Sequence, residues 1–260
     1  MRYIKLIKLH FYKMNAYRIH LLLNYLVIII GLVVQLSIWN AVYKHGDRIA
    51  GYGFQEIIVY TFIAKGIAMW ISNDIDQQMA MGVRTGDLIF DLLKPVNLQI
   101  YYSFLSFGKS LVNLIFVTSP FILIGLLLIN TSINFVYVCY SIISLILALE
   151  ISILLNYLVG LASVYVKNID GLLWGKVFLV NVFSGLLIPI EFFPKGIQII
   201  INSLPFKAVG YIPVQILMGR IYQHDLLLTI GFQVAWVIIM FGLGQYLTKL
   251  VRRTMVIQGG

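Results

Sequence analysis

Six long apolar stretches decide what this chain can become. They run over residues 21–43, 54–73, 101–129, 135–166, 171–190 and 225–248, with short polar breaks between them. A helix needs about twenty apolar residues to cross a hydrocarbon core of roughly 30 Å at 1.5 Å per residue. Only 11% of the residues are charged, against about 25% in soluble domains. With 60% hydrophobic residues and a mean hydropathy of +0.93, lipid must be the main solvent. The expected fold is an all-α membrane protein: one six-span domain over residues 1–260, with no soluble domain, linker or low-complexity tract.

The polar breaks set the orientation. Arg2, Lys5, Lys8, Lys13, Arg18, Arg84, Lys94, Lys109, Lys167, Lys176, Lys249, Arg252 and Arg253 fall on one side. Lys44, Arg48, Lys195, Lys207 and Arg220 fall on the other, and Lys65 lies inside the second run. Basic residues concentrate in cytoplasmic loops, so both termini and the 249–260 tail are expected in the cytoplasm. The excess of Lys and Arg over acidic residues, +9 in all, reads the same way rather than as a nucleic-acid surface. Residues 1–20 carry Ile4, Ile7, Phe11 and Met14 on one helical face and cations around the rest. This predicts an uncleaved helix lying in the membrane interface.

Residues 81–97, MGVRTGDLIFDLLKPVN, interrupt the apolar pattern on the cytoplasmic side. Thr85 and Asp87 suit a first helical turn. Leu88, Ile89, Leu92, Leu93 and Val96 recur at helical spacing, with Asp87, Asp91 and Lys94 opposite. Pro95 ends the helix, since it has no amide to donate. The stretch reads as a short amphipathic helix kept on one side of the membrane to touch something.

Residues for chemistry are sparse. Phe107-Gly108-Lys109-Ser110 ends like a phosphate loop, but Ser103 stands where that loop needs glycine and an apolar helix surrounds it. The four histidines are scattered, and the single Cys139 excludes an internal disulfide. No catalytic, cofactor-binding or metal-binding residue is expected. Asp74 and Asp76 are read as carrying the end of the second span into water. Two charges sit at membrane depth, Lys65 and Glu150, where an ionised group is costly and must pair or face the interior. They form a possible intramembrane polar site, paired or separate, with Asn156 one to two turns beyond Glu150. The same residues read equally as a structural ion pair, or as a protonated Glu150 with Lys65 reaching towards the inner face.

The external segment, residues 191–224, is rich in proline. Ser184 to Pro189 leads through Phe192, Phe193 and Pro194 to a short apolar face, Ile197, Ile200, Ile201 and Leu204, and then Pro205. A run this short cannot span and must dip back or lie in the interface. Re-entrant helices capping the outer end are expected, with Pro189, Pro194 and Pro205 at their turns.

These features together resemble the permease subunits of ABC-2-type ATP-binding-cassette transporters. The run Thr85–Val96 is similar to the G-D-L…L-L-K-P loop of one subgroup, and Ser184–Pro205 to the external segment of the wider group. The resemblance implies an exporter built from two permeases, identical or similar, and two ABC ATPase subunits that carry ATP and Mg. It implies a coupling helix docking on the ATPase, which by position places Arg84, Thr85, Gly86, Asp87, Asp91, Lys94 and Pro95 there. It implies the plasma membrane of a bacterium, and no ATPase site in this chain. A channel, secondary transporter or non-catalytic scaffold is the competing reading, and it predicts activity without any ATPase. A membrane enzyme acting on lipids predicts clustered acid, base or metal residues, which the sequence lacks.

Overall fold

The computed structural model describes residues 18–46, 48–128, 134–166 and 169–258. Most of the interfacial helix expected over 1–20, most of the turn at 130–134, and Lys167 lie outside the described residues. Among the described residues the regular structure is helical, apart from a single bridge between Ile49 and Tyr52. The helices are α1 (Arg18–Val42), α2 (Phe54–Trp70), α3 (Ile75–Thr85), α4 (Leu88–Leu93), α5 (Leu98–Asn113) and α6 (Ser119–Leu127). They continue as α7 (Phe135–Ala162), α8 (Ile169–Phe183), α9 (Lys195–Ser203), α10 (Phe206–Val209), α11 (Tyr211–Leu217) and α12 (Leu226–Gln258).

Five stretches are long and apolar enough to cross a membrane: Tyr25–Val42, Phe54–Thr85, Leu98–Leu127, Phe135–Ala162 and Gln223–Arg253. The second is α2 and α3 in series, broken at residues 71–74. The third is α5 and α6, joined by a wide π-helical turn over Leu114–Thr118. Pro120, in the first turn of α6, has no amide to offer the Phe116 carbonyl. The Tyr25 hydroxyl of α1 donates to that carbonyl instead.

The expected run 171–190 is not one helix. α8 has 15 residues, about 22 Å at 1.5 Å per residue, against a core of roughly 30 Å. Its end at Phe183 follows from what surrounds Ser184–Pro189. Gly185 has φ +78°, and a Cβ there would meet the Cβ of Tyr211 at 2.9 Å. The freed backbone groups find partners elsewhere. Ser184 O accepts from the Tyr211 amide at 2.6 Å, Gly185 O from the Tyr60 hydroxyl, and Leu187 O from Gln35 Nε2 at 2.9 Å. Irregular backbone in an apolar setting persists only when its polar groups are satisfied in this way.

α7 is the hub. α3, α5, α10, α11 and α12 all pack on it, so Ala148, Leu149, Ile151, Ile153, Leu154, Tyr157 and Leu161 are buried almost all round. α1 lies at the edge against α2, burying Ile28, Leu32 and Trp39 and leaving most of its other side chains exposed. α12 is tied to the start of α5 through side-chain amides. Asn97 caps α5 by accepting from the Ile100 amide at 3.2 Å and exchanges bonds with Gln245, which also donates to Gln99 at 2.6 Å.

Candidate functional site

The polar island at 81–97 is two helices rather than one. Gly86 takes φ +82°, a left-handed conformation that closes α3 and that other residues adopt only at a cost. Thr85 is therefore the last residue of α3, not a first-turn residue as its composition suggests. Its hydroxyl donates to Asp87 Oδ2 at 2.7 Å across the break. α4 then buries Leu88 and Leu92, with Leu88 seated against Gly82. Ile89, Phe90 and Leu93 point away from the bundle; Phe90 and Leu93 are 68% and 73% exposed. Asp91 and Lys94 turn back to α5: Lys94 Nζ is 2.5 Å from Asp91 Oδ1, and the Tyr102 hydroxyl donates to Asp91 Oδ2 at 2.7 Å. Burial alone lowers the Lys94 ammonium, but the Asp91 carboxylate outweighs it and holds Lys94 above its usual value. Pro95 follows directly and leaves α4 six residues long. Arg84 reaches Asp170 at the start of α8, its Nη2 3.1 and 3.2 Å from the two carboxylate oxygens.

One turn from the start of α3 lies a buried polar network. Asp76 does not end the second span in water: its side chain is 2% exposed and its Oδ2 sits 2.6 Å from Lys176 Nζ of α8. Lys176 also donates to Asn156 Oδ1 at 2.8 Å. Asn156 Nδ2 donates to Asn73 Oδ1 at 2.6 Å, and Asn73 in turn donates to Ser152 Oγ at 3.2 Å. Asp74 points the other way and pairs with Lys109 of α5 at 3.0 Å. The broken segment between α2 and α3 is thus held by charged and amide groups from α5, α7 and α8.

At the opposite end of α2 the 44–56 loop meets the 191–224 segment. Glu191 accepts from the Tyr211 hydroxyl at 2.5 Å and the Tyr52 hydroxyl at 3.3 Å, and its Oε2 is buried with no partner. Arg220 lies 3.8 Å from the Tyr52 ring centroid and 3.4 Å from Glu56, which also binds Arg48 at 2.9 Å. Burial first, and then Glu191, pushes the Tyr52 phenol up to about 12. Pro189, Pro194 and Pro205 each stand directly before a short helix. Pro189 and Pro205 are buried, whereas Pro194 is exposed. α10 and α11 sink into the bundle, and Gln233 of α12 donates to Ala208 O at 2.8 Å and Ser144 O at 3.3 Å. Of α9 only Ile201 is buried; Ile197 and Ile200 remain exposed.

Lys65 and Glu150 do not pair. Glu150 accepts from Ser103 of α5 at 3.0 Å, while Lys65 turns to the other side of α2, where its Nζ lies beside Gly31 of α1. Asn156 belongs to the Asp76–Lys176 network and not to Glu150's surroundings. Among the described residues no group of three or more His, Cys, Asp or Glu could hold a metal ion.

A family profile described as ABC-2 family transporter protein matches residues 9–259, nearly the whole chain. The chain belongs to this family. It is a multi-pass membrane permease of ABC-2 type, a membrane subunit of a kind that typically lacks an ATPase site of its own and works with ABC ATPases. Neither curated proteins nor solved structures give a match. In this ABC-2 permease the coupling candidates Arg84, Thr85, Gly86, Asp87, Asp91, Lys94 and Pro95 lie together along the α3–α4 unit. Sequence reading missed Phe90, the exposed aromatic of α4, because the stripe pattern put it on the polar side. It also missed the Asp76–Lys176 pair, which lies 100 residues apart along the chain and follows from no local period. Glu191 was missed as well, although a lone carboxylate among aromatics and prolines was a usable signal.

Proposed function

We propose that this permease is the membrane-spanning subunit of an ATP-driven exporter and that the α3–α4 unit is its contact with a separate ABC ATPase. The observation that carries this is the exposed apolar trio Ile89, Phe90 and Leu93. It stands on a helix whose other face, Leu88 and Leu92, is anchored in the bundle. Aromatic side chains are enriched at protein contacts, and Phe90 stands here on a rigid base. Arg84, Thr85, Gly86 and Asp87 shape the link between α3 and α4. Asp91, Lys94 and Pro95 brace α4 against α5. ATP and Mg belong to the partner, and this chain supplies no catalytic residue.

The Lys and Arg bias supports an orientation with α4 and both termini in the cytoplasm. α8 with the unwound 184–189 serves as a sixth crossing, and the α9–α11 segment serves as a re-entrant outer cap turned at Pro189, Pro194 and Pro205. Two permeases, identical or similar, form the path in the plasma membrane of a bacterial cell. Nucleotide-driven closure of the ATPases pushes α4. Because α4 leads through α3 into α2, the push reaches the break at residues 71–74. A nucleotide shifts such a balance only through different affinity for the two states, so docking depends on nucleotide state.

The test is co-purification in mild detergent. The wild-type permease carries an ABC ATPase with it, and Phe90→Glu with Leu93→Glu cuts that recovery at least about tenfold, or roughly 1.4 kcal/mol, while insertion into the membrane is unchanged. Unimpaired recovery with the double variant removes α4 as the docking surface. Transport by the permease in the absence of any ATPase favours the channel or secondary-transporter reading.

A further inference from the structure

Lys65 stands inside α2 without a counterpart among the described residues. It makes no hydrogen bond, ion pair or ring contact among the described residues. The carboxylates of Glu56, Asp74 and Glu150 are turned to Arg48, Lys109 and Ser103. Two measures agree on its depth. From Phe54 to Lys65 is eleven steps along α2, about 16 Å, near the middle of a roughly 30 Å core. Nζ itself lies beside Gly31, which stands near the middle of α1, so the ammonium has not reached along its stem to either surface. Its four-carbon stem cannot span the remaining distance to a headgroup layer.

The seam around it is apolar. Phe62 and Met69, one turn to either side on the same face of α2, belong to the cluster that holds Ile28 and Leu32 of α1. Gly31 leaves the room: a Cβ there would stand 3.3 Å from Nζ. The side chain is half-buried. An anion brought to an ammonium at this depth stabilises its charged form.

We propose that Lys65 binds the anionic headgroup of a membrane-embedded amphiphile, whose chains lie along the apolar α1–α2 seam, and that this amphiphile is what the permease carries. Calling the ligand a passenger rests on the export reading above; the site itself does not.

The experiment uses the full chain in phosphatidylcholine nanodiscs containing a minor fraction of spin-labelled phosphatidic acid, and spin-labelled phosphatidylcholine as the control. Wild type immobilises the anionic probe in excess over the control. Lys65→Met reduces that excess roughly tenfold and Lys65→Arg retains it. No excess in wild type, or an undiminished excess in Lys65→Met, overturns the site. Equal losses in Lys65→Met and Glu150→Gln assign the ammonium to a carboxylate of a second copy and also overturn it. Displacement by inorganic phosphate overturns the amphiphile as ligand. In the complex with its ATPase, phosphatidic acid raises ATP turnover for wild type and not for Lys65→Met. Binding without that stimulation makes the ligand a resident lipid and overturns the passenger. Failure to recover any ATPase, with probe binding intact, removes the export reading and leaves the site standing.

Discussion

The Asp76 carboxylate and the Lys176 ammonium lie 2.6 Å apart with side chains 2% and 15% exposed. Removing one partner of such a pair strands the other in a low-dielectric interior, which costs about 3–5 kcal/mol. Asp76→Asn is therefore expected to lower the melting temperature in detergent sharply, while Asp76→Leu with Lys176→Met recovers most of the loss. Equal melting of Asp76→Asn and wild type would show that the pair contributes nothing. Tyr52 makes a different kind of statement. Its folded-state pKa is raised from 10.0 to about 12, so the fold favours the protonated phenol. That contribution is complete below about pH 10 and is lost as pH rises through about 12. Tyr52→Phe should melt lower than wild type at pH 7.5, because the bond to Glu191 is gone, and should decline less steeply between pH 10 and 12. A parallel decline in both proteins would remove Tyr52 as the alkaline-sensitive group.

Among the elements, α3 and α7 approach each other closely. Gly160 of α7 faces Met79 of α3, and a Cβ there would meet Met79 Sδ at 2.7 Å and Met79 Cβ at 3.0 Å. The sulfur can swing aside, but the Met79 Cβ is fixed to the α3 backbone. Gly160→Val is expected to force α3 off α7 at a cost of about 1–3 kcal/mol, read as a lower melting temperature. Since α4 rides on α3, ATPase recovery should fall with it; unchanged melting would mean that α3 accommodates the extra volume. α8 contrasts with this packing. Of its side chains only Ile169 is buried, and two ion pairs, Asp76–Lys176 and Arg84–Asp170, link it to α3. An element held by charge rather than by apolar packing can shift without emptying a core.

For the whole molecule, the arrangement sets two polar ends apart along α2. The Tyr52–Glu191–Arg220 cluster lies at one end and the Asp74 and Asp76 ion pairs at the other. If the charge bias orients the protein, a membrane-impermeant maleimide applied to intact cells labels Lys195→Cys and not Phe90→Cys, in a Cys139→Ser background. Labelling of Phe90→Cys reverses once the membrane is opened. The opposite pattern would invert the topology and place α4 beyond the reach of a cytoplasmic ATPase.

Length and apolarity alone were enough to read the membrane class from the sequence, and the Thr85–Val96 and Ser184–Pro205 segments carried the family resemblance. The runs 21–43, 54–73, 101–129, 135–166 and 225–248 hold α1, α2, α5 with α6, α7 and α12, while α3 lies beyond the second run. Only the tertiary structure decided the rest. It ended α8 at Phe183, because Tyr60, Tyr211 and Gln35 supply partners to an unwound backbone. It split 81–97 at Gly86 and turned Phe90 outward. It parted Lys65 from Glu150 by facing them to different neighbours, and joined Asp76 to Lys176. Period and propensity say which residues share a face of one helix. Which helix that face meets depends on packing between segments far apart in the chain, and no local pattern carries that information.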